Sequence, residues 1–213
     1  MKVVAIGAHP DDYEIGAAMR LMHHVRMKDY VVGIVCSNGE MAGDEESRIG
    51  EAIRAAELIG MKEIYLLGFP DTEFPKVEII KDGLEEIVST INPSIVYSHH
   101  PDDRHQDHRT VALAASTACR KVPSILSYRG PSTVFTSFQP HLFHVGSLPD
   151  FEKKREILQI YRSQMERGHG ISLQQVMIDS KFYGTIVNRY SSYDIYAEPF
   201  CANHFVLNCR ELW

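Results

Sequence analysis

Short β-branched or aromatic runs alternate with apolar stripes at helical spacing through the first half of the chain, and this alternation limits the fold more than any other feature. Val3 to Ile6, Tyr30 to Cys36, Ile64 to Leu67 and Ile95 to Tyr97 are bounded by Gly, Asn, Asp or Pro, as strands buried on both faces are. Between them Ile15, Ala18, Met19 and Met22 recur at helical spacing as far as Arg26. Ile49, Ala52, Ile53, Ala56 and Ile59 repeat the pattern between a candidate cap at Asp44 and a stop at Gly60. Val77, Ile80, Leu84, Ile87, Val88 and Ile91 form a third stripe, closed by Asn92-Pro93. Strand and helix in strict alternation predict right-handed βαβ units and an α/β, Rossmann-like three-layer fold with a mostly parallel sheet. With 213 residues, 44% of them hydrophobic, one domain over 1–213 is expected, with 1–121 as the βαβ core and 122–213 shaping the pocket. In that second part Ser124 to Tyr128 and Thr133 to Phe138 read as strands, Phe151 to Arg167 as a charged helix, and Ile195 to Leu207 as a β-type segment containing Glu198-Pro199.

In such sheets ligands bind outside the carboxyl ends of the strands. Two clusters of polar groups fall there. Ala8-His9-Pro10-Asp11-Asp12-Tyr13-Glu14-Ile15 follows the first apolar run, and His105-Gln106-Asp107-His108 comes after the fourth. A net charge of -6 argues against a nucleic-acid partner, which calls for a basic face, and favours a small molecule. No stretch approaches the ~18 apolar residues of a membrane span, and the N-terminal run passes straight into His-Pro-Asp-Asp, so it reads as a strand. Cys36, Cys119, Cys201 and Cys209 show neither CxxC spacing nor disulfide-scaffold density, which suggests a reduced, cytoplasmic setting. Assembly into a homo-oligomer is compatible with these features. Neither GxGxxG nor a P-loop is present, which weighs against plain dinucleotide binding.

His9 and Asp12 lie three apart across a strand-to-helix turn, close enough to aim at one spot, and a distant His108 would complete two imidazoles and a carboxylate. Three N/O ligands with a position left for water suit a catalytic zinc, and the same set accepts Fe(II). Asp11, beside the ligand but facing elsewhere, is then the candidate general base. His105 and Asp107 form a candidate charge-stabilising pair, because a carboxylate beside an imidazole favours its cation, and a cation stabilises a developing oxyanion. An Asp-Asp after a strand is equally an ordinary helix N-terminus; it is the two clusters together, each at a strand end, that favour the metal site. His99-His100 could line the pocket, His23-His24 reads as helix surface or partly buried, and His141, His144, His169 and His204 as loop or core residues.

Ala8-His9-Pro10-Asp11-Asp12-Tyr13-Glu14 resembles the AHPDDxE signature, and His105-Gln106-Asp107-His108 the HxDH signature, of the LmbE-like (PIG-L) zinc de-N-acetylase family. The resemblance extends to Arg48 and Glu51, to Asp103-Arg104, and to Lys154 with Ser163-Gln164, and is strongest before residue 110. It implies a Rossmann-like fold and hydrolysis of the acetamide of an N-acetylglucosamine conjugate. Carried over by position, it implies zinc on His9, Asp12 and His108, Asp11 as base, and His105 with Asp107 as the charge-stabilising pair. It also implies that Arg48 approaches the substrate or oxyanion, with Asp103 and Arg104 as further candidate substrate contacts. The expected partner is a small N-acylated amino sugar or glycoconjugate. The alternatives are an amidase of a sugar-thiol conjugate within the same family, and a metal-containing sugar-binding protein that turns nothing over. Asp11 weighs against the last, since a binding module needs no unliganded carboxylate beside its metal.

Overall fold

The computed structural model describes residues 1–134, 136–167, 170–188 and 194–206. The chain begins β1 (Lys2–Gly7), α1 (Asp12–Arg26), β2 (Tyr30–Ser37), α2 (Glu45–Ile59), β3 (Glu63–Phe69), α3 (Val77–Ile91), β4 (Ile95–His99) and α4 (Gln106–Ala118). There follow β5 (Ser124–Tyr128), β6 (Leu142–Gly146), α5 (Leu148–Leu158), the short α6 (Arg162–Met165), α7 (Leu173–Val187) and β7 (Tyr196–His204). One sheet of order β3-β2-β1-β4-β5-β7-β6 joins the strands. The first five pair in parallel, and β7 runs antiparallel to both β5 and β6. The expected α/β class and mostly parallel sheet are what the chain adopts.

Alternation along the inner strands sorts the core onto two faces. Val3, Ala5, Val31 and Tyr97 pack with Ala17, Leu21, Ala55 and Ile157 from α1, α2 and α5. Val4, Ile6, Val32 and Val96 pack on the other face with Ile80, Leu84 and Val88 of α3 and with Val111 and Ala115 of α4. Fully burying such a side chain contributes about 1.5–3 kcal/mol, so covering both faces is what holds these strands inside. Asp44 caps α2 by accepting the Ser47 amide at 2.9 Å, and Gly60 ends it at φ 91°, as the sequence signals predict. None of the helices among the described residues is long and apolar enough to cross a membrane.

The later segments depart from the sequence reading. Thr133 to Phe138 forms no strand among its described residues, and Phe135 lies outside them. Local partners take its polar groups instead: the Thr133 amide donates to the Gly130 carbonyl, the Thr133 hydroxyl to Asp103, and the Ser137 amide to Asp102. The sheet takes its edge strand from Leu142–Gly146. The Phe151 to Arg167 helix is two helices, because the chain turns at Gln159 to Tyr161 and sends the Tyr161 hydroxyl inward to Glu14 at 2.6 Å. No signal in the sequence pointed to α7. Ile195 to Leu207 supplies β7, with Pro199 past the last rung shared with β5, where its missing N–H is tolerated; Leu207, His169 and Cys209 lie outside the described residues.

His144 on β6 has a buried Nε2 without a partner, and burial, then the charges of Arg20 and His23, push its pKa down to about 3. The unfolded chain takes up this proton near pH 6.5 and the folded protein only near 3, so the folded state loses stability as pH falls through that window. His144→Leu sacrifices no hydrogen bond among the described residues. Urea denaturation at pH 7.5 and pH 5 should show the variant gaining on the wild type at the lower pH; an unchanged stability difference would contradict this.

Candidate active site

Parallel pairing of β1 with β4, Val3 to Ile95 through Ala5 to Tyr97, brings the carboxyl ends of the two strands side by side. Their loops then lead the first cluster and the second into one cleft of about 370 Å³. His9, Asp12 and His108 meet there with ligand atoms all within 4.8 Å of one another. His108 Nε2 lies 3.2 Å from Asp12 Oδ1, and His9 Nδ1 lies 3.6 Å from Asp12 Oδ2. Such spacings suit ligands sharing one ion at about 2.0–2.2 Å each. The remaining ring nitrogens have oxygen partners, as metal-binding imidazoles require. His9 Nε2 faces Asp71 Oδ1 at 3.0 Å and Asp107 Oδ2 at 3.1 Å, while His108 Nδ1 faces the Ser132 hydroxyl at 3.1 Å and Asp103 at 3.4 Å. The donor set and its support fit a divalent metal.

The electrostatics point the same way. Burial opposes charge on His9, but hydrogen bonds to Asp107, Asp12 and Asp71 hold its pKa well above the ordinary value. His108 is raised to about 9, because Asp12 and Asp103 outweigh its burial. Burial would also raise Asp12, yet His108 and His99 keep it well below the usual carboxylate range. A site that holds protons so firmly carries excess negative potential, and a divalent cation satisfies it by displacing those protons.

Asp11 differs from its neighbour. It sits at the N-terminus of α1 with φ 101°, a left-handed conformation that costs a non-glycine residue of order 1–3 kcal/mol, and its side chain caps no amide. An ordinary helix cap would make that bond; the Asp11 carboxylate instead lines the cleft. Burial raises its pKa to about 6 against the pull of Arg48, whose Nη1 lies 3.3 Å from Asp11 Oδ2. Arg48 is 1% exposed and also donates to the Pro10 carbonyl at 3.0 Å. It packs under Gly39, where φ is 72° and an added Cβ would come within 2.8 Å of the guanidinium. Arg48 thus braces the strained turn and Asp11, and it also lines the cleft, where the sequence reading offers it as a substrate contact.

Asp107 is directed to His9, and its carboxylate stays 4.0 Å from His105 Nδ1. His105 Nδ1 accepts the Asp107 amide at 3.3 Å, and burial, then the proximity of His108 and His9, lowers its pKa. With Nδ1 accepting that amide, Nε2 is the nitrogen left to carry a proton. Asp103 is buried and accepts from Ser132 and Thr133 at 2.6 Å each, so it orients His108 where a substrate contact was expected. Arg104 is exposed and does not line the cleft.

Sequence reasoning missed Asp71, Ser132 and the role of His99. Asp71 and Ser132 stand in the loops after β3 and β5, so the strand-end rule that found the two clusters would have found them too. His99 ends β4, stacks on His108 at 4.0 Å between ring centroids and approaches Asp12 at 3.1 Å, which gives the pocket-lining suggestion a specific partner. His24 proves buried, between Asp29 at 2.7 Å and the Tyr97 hydroxyl at 2.9 Å.

Residues 4–119 match the family model described as PIG-L, GlcNAc-PI de-N-acetylase. The chain is 34% identical over 173 residues to the uncharacterized deacetylase YaiS of Escherichia coli K12, across 76% of this chain and 90% of that one. It is 31% identical over 124 residues to the diacetylchitobiose deacetylase of Thermococcus kodakarensis, across 49% of this chain and 45% of that one. Among solved structures, the 4-carboxy-2-hydroxymuconate hydratase GalB of Pseudomonas putida KT2440 superposes with a TM-score of 0.84 over 97% of this chain and 98% of that one, at 16% identity. That likeness shows the fold alone, so the chemistry must be argued from the side chains.

Asp103 touches no position where an ion would sit, yet it fixes His108. Asp103→Ala should weaken Zn²⁺ binding by about 10–100-fold, the usual cost of losing such a partner, while the circular dichroism spectrum stays native. Wild-type affinity in a chelator competition would show that His108 needs no such support.

Proposed function

Because the chain belongs to the PIG-L family, we propose that its cleft hydrolyses the acetamide of an N-acetylglucosamine-type sugar or glycoconjugate with one divalent ion, zinc by default, on His9, Asp12 and His108. Asp11 is the observation that most supports catalysis over mere binding. It is a carboxylate beside the ligand set, outside it, held in a strained backbone conformation and braced by a buried arginine.

An ion held there supplies Lewis acidity for the amide carbonyl and lowers the pKa of water toward ~7. The Asp11 carboxylate accepts the proton of the attacking water. Its pKa of about 6 lets it be ionised at neutral pH and still hand the proton on. Arg48 keeps that carboxylate aimed, so proton transfer begins from a fixed geometry. His105 lines the cleft with a protonated Nε2, and hydrogen-bonds either the developing oxyanion or the departing nitrogen. Water adds to the carbonyl carbon, the C–N bond breaks, the acetyl group leaves as acetate, and the sugar nitrogen takes up the proton that Asp11 accepted and leaves as an amine.

The test is acetate release from free N-acetylglucosamine, diacetylchitobiose and malate, inositol and lipid-linked N-acetylglucosamine, with zinc supplied. At least one member should be hydrolysed; a wholly inactive panel would overturn the reading. Asp11→Asn should lower that turnover by roughly 10²-fold or more with metal retained. His108→Ala should lose most of the metal. Metal loss in Asp11→Asn would exchange the roles of Asp11 and Asp12.

A further inference from the structure

A second chamber of about 90 Å³ adjoins the cleft and is the more enclosed of the two. Ile15, Pro131, Gly170 and Ile171 line both spaces, so the two are neighbours across an apolar boundary. Behind it stand Val176 and Tyr183 of α7 and Pro199 of β7. The ionic groups at its margin already have partners. Lys154 Nζ donates to the Ile15 carbonyl at 2.6 Å and to Glu198 at 2.7 Å, and Arg129 pairs with Asp179. Opposite charges matched in this way leave no net charge for an ionic ligand to meet, and the wall that remains is mostly hydrocarbon.

We propose that this chamber is an acyl subsite, and that the enzyme accepts amino sugars carrying an N-acyl chain longer than acetyl. The inference rests on the reading of the cleft as an amide hydrolase. An amide at the ligand set has two sides. The sugar needs room and access to hydrogen-bonding partners, and the wider, more open cleft of about 370 Å³, where Thr72 lines the wall, provides them. The acyl side then falls toward Ile15 and Ile171, where a methylene loses nothing on desolvation, while Ser172 and Gln175 of the same wall are already engaged with the Gln175 amide and Asp179. A space of about 90 Å³ takes a few carbon atoms, which suits a short chain such as butyryl better than a long lipid. The reaction keeps its balance: water adds to the carbonyl carbon, the C–N bond breaks, the whole chain leaves as its carboxylate, and the sugar nitrogen takes the proton.

The experiment compares N-acetyl-, N-butyryl- and N-hexanoyl-glucosamine with zinc-loaded enzyme, reading released amine, alongside thermal shifts with acetate, butyrate and hexanoate. Butyryl kcat/KM should equal or exceed acetyl, and butyrate should stabilise the protein more than acetate. Val176→Phe, which fills the chamber, should cut the butyryl-to-acetyl ratio by about tenfold or more, the discrimination that a methylene produces in an apolar pocket. Val176→Ala, which enlarges it with less risk to folding, should raise the hexanoyl-to-butyryl ratio. Acetyl turnover with butyryl rejected and butyrate no better than acetate would overturn the subsite and leave the hydrolase reading intact. No turnover of any substrate, with butyrate still preferred in a way Val176→Phe abolishes, would instead overturn the hydrolase reading and retain the subsite.

Discussion

Three residue pairs, Val3 to Ile95, Val4 to Val96 and Ala5 to Tyr97, align β1 with β4, and everything that resembles an active site follows from this pairing. The sheet runs outward from these two strands in both directions, to β2 and β3 on one side and to β5 on the other. That is the topological switch point, where adjacent loops part and leave a crevice. Were β4 placed elsewhere, His9 and Asp12 would have no His108 to meet. Both strands are apolar on both faces, so their position is secured by two separate halves of the core.

A cluster of this polarity is costly to bury, and each charge is therefore answered. Asp12 faces His108, His9 and His99; His9 faces Asp71 and Asp107; His108 is backed by Asp103. Buried ionic groups add little stability by themselves, and losing one partner leaves the other stranded. The arrangement therefore reads as a device for orientation. Its ligand nitrogens converge, their opposite ring atoms are fixed by oxygen, and one carboxylate, that of Asp11, is held apart by Arg48.

The segment beyond β5 is tied to this centre through α1. Lys154 of α5 and Glu198 of β7 reach the helix between Ile15 and Arg20: Lys154 Nζ binds the Ile15 carbonyl, and Glu198 accepts the amides of Met19 and Arg20 at 3.0 and 2.9 Å. In a regular helix those amides serve the helix itself. Tyr161 adds a bond to Glu14, and Ser163 donates its amide and hydroxyl to Glu51 of α2. Gly16 lets β5 approach the helix closely, since a Cβ there would come within 2.3 Å of the Tyr128 ring. The helix that presents Asp12 is thus held by residues far away in the sequence.

Local pattern was sufficient for the parallel core and for the two polar clusters, because strand runs, helical stripes and residues following a strand end are properties of neighbours in the chain. The cap at Asp44, the stop at Gly60 and the grouping of His9 with Asp12 needed no tertiary information. The partners across the fold did. Asp107 stands two residues from His105 and was naturally read as its mate, but α4 turns its carboxylate to His9, ninety-eight positions away. The resemblance offers Arg48 and Asp103 as substrate contacts; packing buries both, Arg48 against Asp11 and the Pro10 carbonyl and Asp103 against Ser132, Thr133 and His108. The antiparallel β7, the edge strand β6 and the split after α5 were illegible for a related reason. Their register is set by contacts with β5, Glu14 and Glu51, and no residue near them in the chain carries that information.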